Sequence, residues 1–260
     1  MADSFELNLG SLRSQMSITL HTHHAAIRWF GRRPQADDEG NKRPIIGMPR
    51  FISIMDQIKA AAAQNDPYAD FWLIKMEERL ARARQEIAAL QSQVNEVLKQ
   101  IPPAITVEDN VNIQPLRLPL FIGCQLGYIG IYLLTEFDTV ARGILLIHHT
   151  GLIGRREMEQ WLDRGAHEVR SVLGLAQQYR HAGVTRDDMA ANNARARDAI
   201  EKFGVLPQEI LEGTLRSNYA PALPQLRGGS GTAADHNDGA DDSGLEQSIG
   251  VEVEGVSNGA

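Results

Sequence analysis

A chain of 260 residues that is 43% hydrophobic can bury a sizeable core, as one large domain or two small ones. Its formal net charge of −7 opposes nucleic acid only until it is divided, because the acidic excess lies at the carboxyl-terminal end and the amino-terminal fifth is basic. Cys124 is the single cysteine, which excludes an intrachain disulfide and a cysteine-based zinc cluster and fits a reducing cytoplasm.

The first residues, Met-Ala-Asp-Ser-Phe-Glu, lack a basic stretch followed by an apolar core, so no signal peptide is expected. Phe5, Leu7 and Leu9 alternate with Glu6 and Asn8 and predict a strand near residues 4–10. A second strand is predicted near residues 16–23. There Met16, Ile18, Leu20 and Thr22 fall on one side and Ser17, Thr19, His21 and His23 on the other. Residues 11–50 hold seven basic side chains (Arg13, Arg28, Arg32, Arg33, Lys42, Arg43, Arg50) against Asp37, Asp38 and Glu39, giving +4. A polar strand face beside positive charge suits nucleic acid, with Ser17, Thr19, His21 and His23 toward bases and Arg28, Arg32 and Arg33 on phosphate.

Residues 31–49, rich in Arg, Asp, Gly and Pro, predict a loop, and a short helix follows over about 51–64. Asp66 has the character of an N-cap with Pro67 at the first helical position, opening a long helix over 67–101 that stops before Pro102 and Pro103. Leu80, Ile87, Val94 and Ile101 are seven apart, and Met76, Ala83, Leu90 and Val97 interleave with them as a heptad seam. Arg79 and Arg84 would bring like charges together in a parallel homodimer, so packing within the chain is preferred to a dimer seam.

A third strand is predicted over 111–121, with Pro115 and Pro119 on one side confining it to an edge. Asn112, Gln114 and Arg117 make it a rival for base contact. Near-continuous apolar residues predict a buried helix over 127–150, an amphipathic helix covers 155–179, and Thr185 with Asp188 in capping-box spacing opens a helix over 185–203. The longest apolar run, residues 118–134, is broken by Pro119, Gln125 and three glycines and falls short of the roughly 20 residues of a spanning helix, so no membrane contact is expected. Residues 217–260 carry Arg227 against Asp235, Asp238, Asp241, Asp242, Glu246, Glu252 and Glu254, one minus seven or −6, and read as a disordered acidic tail.

Chemistry-bearing clusters are sparse. His21, His23 and His24 supply at most two ligands from one strand face, so no metal is expected. Asp138 and His149 fall on similar helical faces and are the one acid–base candidate, without a nucleophile or a phosphate-binding loop beside them. Residues 175–189 form a weak helix-turn-helix pattern, in which Arg180, His181 and Ala182 lengthen the turn and Asp187 and Asp188 would face phosphate. No enzyme and no cofactor is expected.

The blocks Ser-Ile-Thr-Leu-His-Thr-His-His-Ala (17–25), Gly-Arg-Arg (31–33), Asn-Asp-Pro-Tyr-Ala-Asp (65–70), Gly-Tyr-Ile-Gly-Ile-Tyr-Leu-Leu-Thr-Glu-Phe-Asp (127–138) and Tyr-Arg-His-Ala-Gly-Val-Thr-Arg (179–186) carry a resemblance to another group of proteins. In their order and spacing, from about residue 14 to 212, the sequence resembles a family of integrating conjugative element proteins. A related plasmid branch of that family is linked to control of transfer genes and to dimeric ribbon-helix-helix DNA binding. The resemblance implies a regulator or accessory factor of conjugation, binding DNA and forming a homodimer, in a bacterial cytoplasm. The alternative is a non-catalytic adaptor that holds a protein of the conjugation system through residues 71–101. The expected architecture is α+β: a small antiparallel sheet or ribbon packed with several long helices within residues 1–216, then the tail.

Overall fold

A computed structural model describes residues 15–32 and 44–223. The chain divides into two units, Met1–Pro224 and Gln225–Ala260, and every element below belongs to the first. In order these are β1 (Met16–Leu20), α1 (His23–Phe30), α2 (Met48–Ala63), α3 (Pro67–Leu98), β2 (Leu116–Leu120), α4 (Gln125–His149), α5 (Arg155–Ala176), α6 (Arg186–Ala190), α7 (Ala194–Phe203) and α8 (Gln208–Glu212). A helical body with one two-stranded antiparallel sheet is the α+β architecture expected. No helix among the described residues is long and apolar enough to cross a membrane.

The 32-residue α3 organises the body. Asp66 caps it, its Oδ1 accepting from the Tyr68 and Ala69 amides at 2.9 and 3.2 Å, and Pro67 occupies the first turn, where a missing N–H leaves nothing unsatisfied. The heptad residues Met76, Leu80, Ala83, Ile87, Leu90 and Val94 are all 1% exposed or less, sealed against α4 and α5 of the same chain. Gly165 of α5 permits this three-way approach, since a Cβ there would lie 2.9 Å from the Phe137 ring and 3.4 Å from Leu90. The arginines that would have repelled across a homodimer are paired inside the chain. Arg79 meets Glu168 at 2.8 Å, Arg84 meets Glu136, and Arg164 reaches back to Glu86 at 3.0 Å. Being largely exposed, the last two pairs set helix register more than they stabilise. Burial of the seam from Met76 to Val94 takes those residues out of the adaptor contact expected over residues 71–101.

The strands expected over 16–23 and 111–121 are rivals in the sequence and partners in the structure. β1 and β2 pair antiparallel from Met16↔Leu120 to Leu20↔Leu116. β1 stops at Leu20 because the next residues are claimed by a buried carboxylate. Asp138, in the middle of α4 and 3% exposed, accepts from the His21 amide at 3.0 Å, the Thr22 amide at 2.8 Å and the Thr22 hydroxyl at 2.7 Å. Thr22 Oγ1 in turn accepts from the Ala25 amide at 3.2 Å, capping α1. His21 and His23 therefore leave the predicted strand: His21 lies beyond its end and His23 opens a helix.

The remaining boundaries differ by local causes. The helix expected over 67–101 ends at Leu98, and that over 127–150 starts two residues early, where Cys124 Sγ accepts from the Gly127 amide. Residues 155–179 yield a helix ending at Ala176. The helix expected over 185–203 is broken into α6 and α7 by Asn192, at φ 47°, after which the Asn193 side chain caps α7. The base of the 31–49 loop is closed by Arg32 and Ile45, which exchange backbone hydrogen bonds at 2.8 and 3.1 Å. Gly31, at φ +74°, is required there, because a Cβ would sit 2.5 Å from the Ile45 carbonyl. Pro49 belongs to α2. The strand expected near 4–10, residues 33–43 and the tail from 224 onward lie outside the described residues.

A second buried carboxylate fastens the carboxyl-terminal segment. Asp70, fully buried in the first turn of α3, accepts from Arg186 Nη2 at 2.5 Å and from Arg216 Nε and Nη2 at 2.9 and 2.8 Å. Arg186 also donates to the Asn65 side chain and to the Ile210 and Leu211 carbonyls. Residues 217–223, read from composition as the start of the tail, are held in the body. Ser217 Oγ donates to Glu77 at 2.6 Å, the Asn218 side chain joins the same carboxylate, and Tyr219 packs against the core. Polar pairs rather than apolar run length order this stretch, so a composition rule missed it.

Asp70→Ala strands two guanidinium groups and is expected to destabilise the protein by about 3–5 kcal/mol in urea denaturation, whereas a loss under 1 kcal/mol would contradict the assigned role. Asp138→Ala leaves three donors without an acceptor and is expected to lower stability by about 2–4 kcal/mol, with hydrogen exchange accelerating at His21 and Thr22 before the α3 seam.

Candidate nucleic-acid interface

The outer face of the ribbon follows from its register. Ile18 and Leu20 are 3% and 2% exposed and turn inward with Leu118 and Leu116 opposite them, so Ser17 and Thr19 share the outward face with Pro119 and Arg117. Ser17, Arg117 and Pro119 are exposed and Thr19 is half-buried. Two hydroxyls and a guanidinium on a two-stranded ribbon are groups that donate to base edges and phosphates. In a ribbon-helix-helix dimer the two strands come from different subunits, whereas both strands here come from one chain.

The other predicted contacts are distributed over a turn and a helix. His21 is held at the ribbon's end: its Nδ1 accepts from the Asn112 amide at 3.2 Å, and its carbonyl accepts from the Asn112 side chain at 3.1 Å. Asn112, named as a base-reading candidate, is thus a clamp on His21, and its Oδ1 accepts from the Gln114 amide at 2.9 Å. His23 is exposed in the first turn of α1 and His24 half-buried beside it. Burial first, then the nearby His23 and Arg28 charges, hold the His24 imidazole below its ordinary value against a weaker pull from Asp163. His21, His23, His24, Asn112 and Arg142 line a cavity of about 450 Å³. No three or more His, Cys, Asp or Glu side chains among the described residues are placed so that they could hold a metal ion together.

Arg28 and Arg32 lie at the far end of α1, where Arg170 of α5 joins them. The Arg28 guanidinium is pushed below its usual value, by burial and then by Arg170, with Asp163 opposing and Arg32 adding to the effect. Arg33 lies outside the described residues. Arg170 has no signature in the sequence beyond membership of an amphipathic helix, and its place beside Arg28 is purely tertiary. Arg117 was legible as a rival candidate, while its place opposite Thr19 was not.

The remaining chemical readings resolve into structural roles. Asp138 and His149 are eleven residues apart on α4, which separates them by about 16 Å along the axis, and the carboxylate is occupied by His21 and Thr22. The Cys124 thiol, pushed up to about 11 chiefly by burial, caps α4 as a neutral group. The weak helix-turn-helix at 175–189 dissolves likewise. Thr185 and Asp188 form a capping box, Arg186 is committed to Asp70, and α6 is only 5 residues long.

A family model described as "Transcriptional regulator AcaB" matches residues 8–224. Among solved structures, the crystal structure of selenomethionine-containing AcaB from uropathogenic E. coli is similar at 11% identity, with a TM-score of 0.47, covering 78% of this chain and 98% of that one. No curated protein sequence matches. With the family model spanning the ribbon, the three-helix body and the carboxyl-terminal staple, the chain belongs to the AcaB family of transcriptional regulators.

Proposed function

We propose that this protein is a DNA-binding regulator or accessory factor that controls transfer genes of an integrating conjugative element. The observation that carries the reading is the outward polar face of the ribbon, Ser17, Thr19 and Arg117, in a chain of a transcriptional regulator family. The major groove of B-DNA admits a two-stranded ribbon, and a hydroxyl or guanidinium on its outer face reaches base edges. His21 and His23 flank that face, and Arg28, Arg32 and Arg33 take phosphate, which positions the protein without reading sequence. A homodimer acting in the cytoplasm would set two such ribbons on half-sites about 34 Å apart, one turn of the duplex. The five resemblance blocks support the mobile-element context.

Titration of DNA fragments from the gene's own neighbourhood, at several salt concentrations, tests this directly. Arg32→Ala with Arg33→Ala is expected to weaken binding to all sequences alike and to reduce the salt slope by about 2, one for each phosphate contact removed. Arg117→Ala is expected to narrow the difference between preferred and unrelated DNA by about 1–3 kcal/mol. Unchanged affinity, slope and preference in both variants would remove the ribbon and the arginines from the interface.

A further inference from the structure

The cavity of about 450 Å³ where β1 passes into α1 gathers His21, His23 and His24 around Arg142 of α4. Every residue that lines it is described, and none is a carboxylate. Arg142 Nε is buried with no partner, and the side chain makes no hydrogen bond or ion pair among the described residues. Arg79, Arg84, Arg164, Arg186 and Arg216, by contrast, each have a carboxylate. Asp138, one turn earlier on α4, is no counter-ion for Arg142, because its oxygens accept from His21 and Thr22. A buried guanidinium donor without an acceptor is costly, and a concave space lies in front of this one. The imidazoles add further donors. His21 Nδ1 accepts from the Asn112 amide at 3.2 Å, so a neutral His21 ring carries its proton on Nε2. His23 and His24 open α1, where the first amides have no acceptor within the helix. On the opposite wall Val111 and Ile113 are 55% and 98% exposed, apolar side chains left in water at the same cavity.

We infer that this cavity binds a phosphate ester of nucleotide size, with Arg142, His21 and His23 on the phosphoryl group and Val111 and Ile113 beneath the organic part. A guanidinium grips phosphate through paired N–H donors, and the imidazole donors take oxygens that it leaves free. The buried Arg142 Nε gains its acceptor at the same moment. A space of this volume falls in the range of small-molecule sites and exceeds what a bare phosphate fills, so the ligand carries an organic part. His21 and His23 also belong to the proposed DNA contact, whereas Arg142 does not. The site stands without that contact, because a free nucleotide and a nucleotide of a DNA strand present the same phosphoryl group to the same donors.

Thermal unfolding of the full chain in adenosine monophosphate and in inorganic phosphate, against chloride at equal ionic strength, tests the site. A saturable rise in Tm of about 3 °C or more at ten times the dissociation constant is expected with the nucleotide, from the stabilisation that a native-state ligand provides. Inorganic phosphate is expected to give the same rise at higher concentration, since it lacks the organic part. Arg142→Met, which keeps side-chain bulk without charge, is expected to abolish both rises while remaining folded by circular dichroism. No rise above chloride, or a rise that survives Arg142→Met, overturns the proposal. Should that variant fail to fold, His23→Ala at its exposed position takes its place, with nucleotide affinity expected to fall about fivefold or more and an unchanged affinity overturning the site. DNA titration of the same variant then assigns the source. A parallel loss of DNA affinity, with adenosine monophosphate competing, supports a nucleotide of the DNA strand in the cavity. Retained DNA affinity with lost nucleotide binding supports a free ester in a site separate from the DNA contact.

Discussion

The stripe of apolar residues along α3 is the constraint around which the rest is arranged. A helix of 32 residues is about 48 Å long, and one carrying Met76, Leu80, Ala83, Ile87, Leu90 and Val94 on one side must hide that side or pair with another chain. α4 and α5 hide it here, and their own apolar residues, Phe137, Val140 and Ile144 from one and Val169, Val172 and Leu173 from the other, complete the same core. Nothing of the stripe up to Val94 is left for an external partner. The smaller elements attach to this three-helix body through apolar side chains and through polar groups inside it.

Two buried carboxylates supply the polar part of that attachment, and they bring together blocks that carry the family resemblance. The 17–25 block meets the 127–138 block where Asp138 holds His21 and Thr22. The 65–70 block meets the 179–186 block where Asp70 holds Arg186, and the Arg186 amide donates to the Asn65 carbonyl at 3.0 Å. Within the 127–138 block, Gly130 has no side chain because a Cβ would lie 2.3 Å from the Phe51 ring. These contacts are demands of folding. The resemblance is therefore informative about architecture.

Features set by residues close in the chain were legible. The Asp66 cap, the α3 heptad, the buried α4 and the Thr185–Asp188 capping box each arise within one or two helical turns, where periodicity and capping chemistry operate directly. The alternation of Ile18 and Leu20 inward against Ser17 outward was legible for the same reason. Features set across the chain were not. Strand alternation alone would have continued through His23, and only the carboxylate 116 residues away ends it at Leu20. The pairing of β1 with β2 is a choice between edges that neither strand encodes alone. Residues 217–223 look like tail by composition, and their order comes from Glu77, Asp70 and the core beneath Tyr219.

A sheet of two short strands has little standing of its own in water. The ribbon of this protein persists because its inward side chains sit in the helical core and because one end is tied to the midpoint of α4 through Asp138. It is consequently held both along its inner face and at one end. A molecule that met such a ribbon would find it already ordered, so little freedom would be lost on contact.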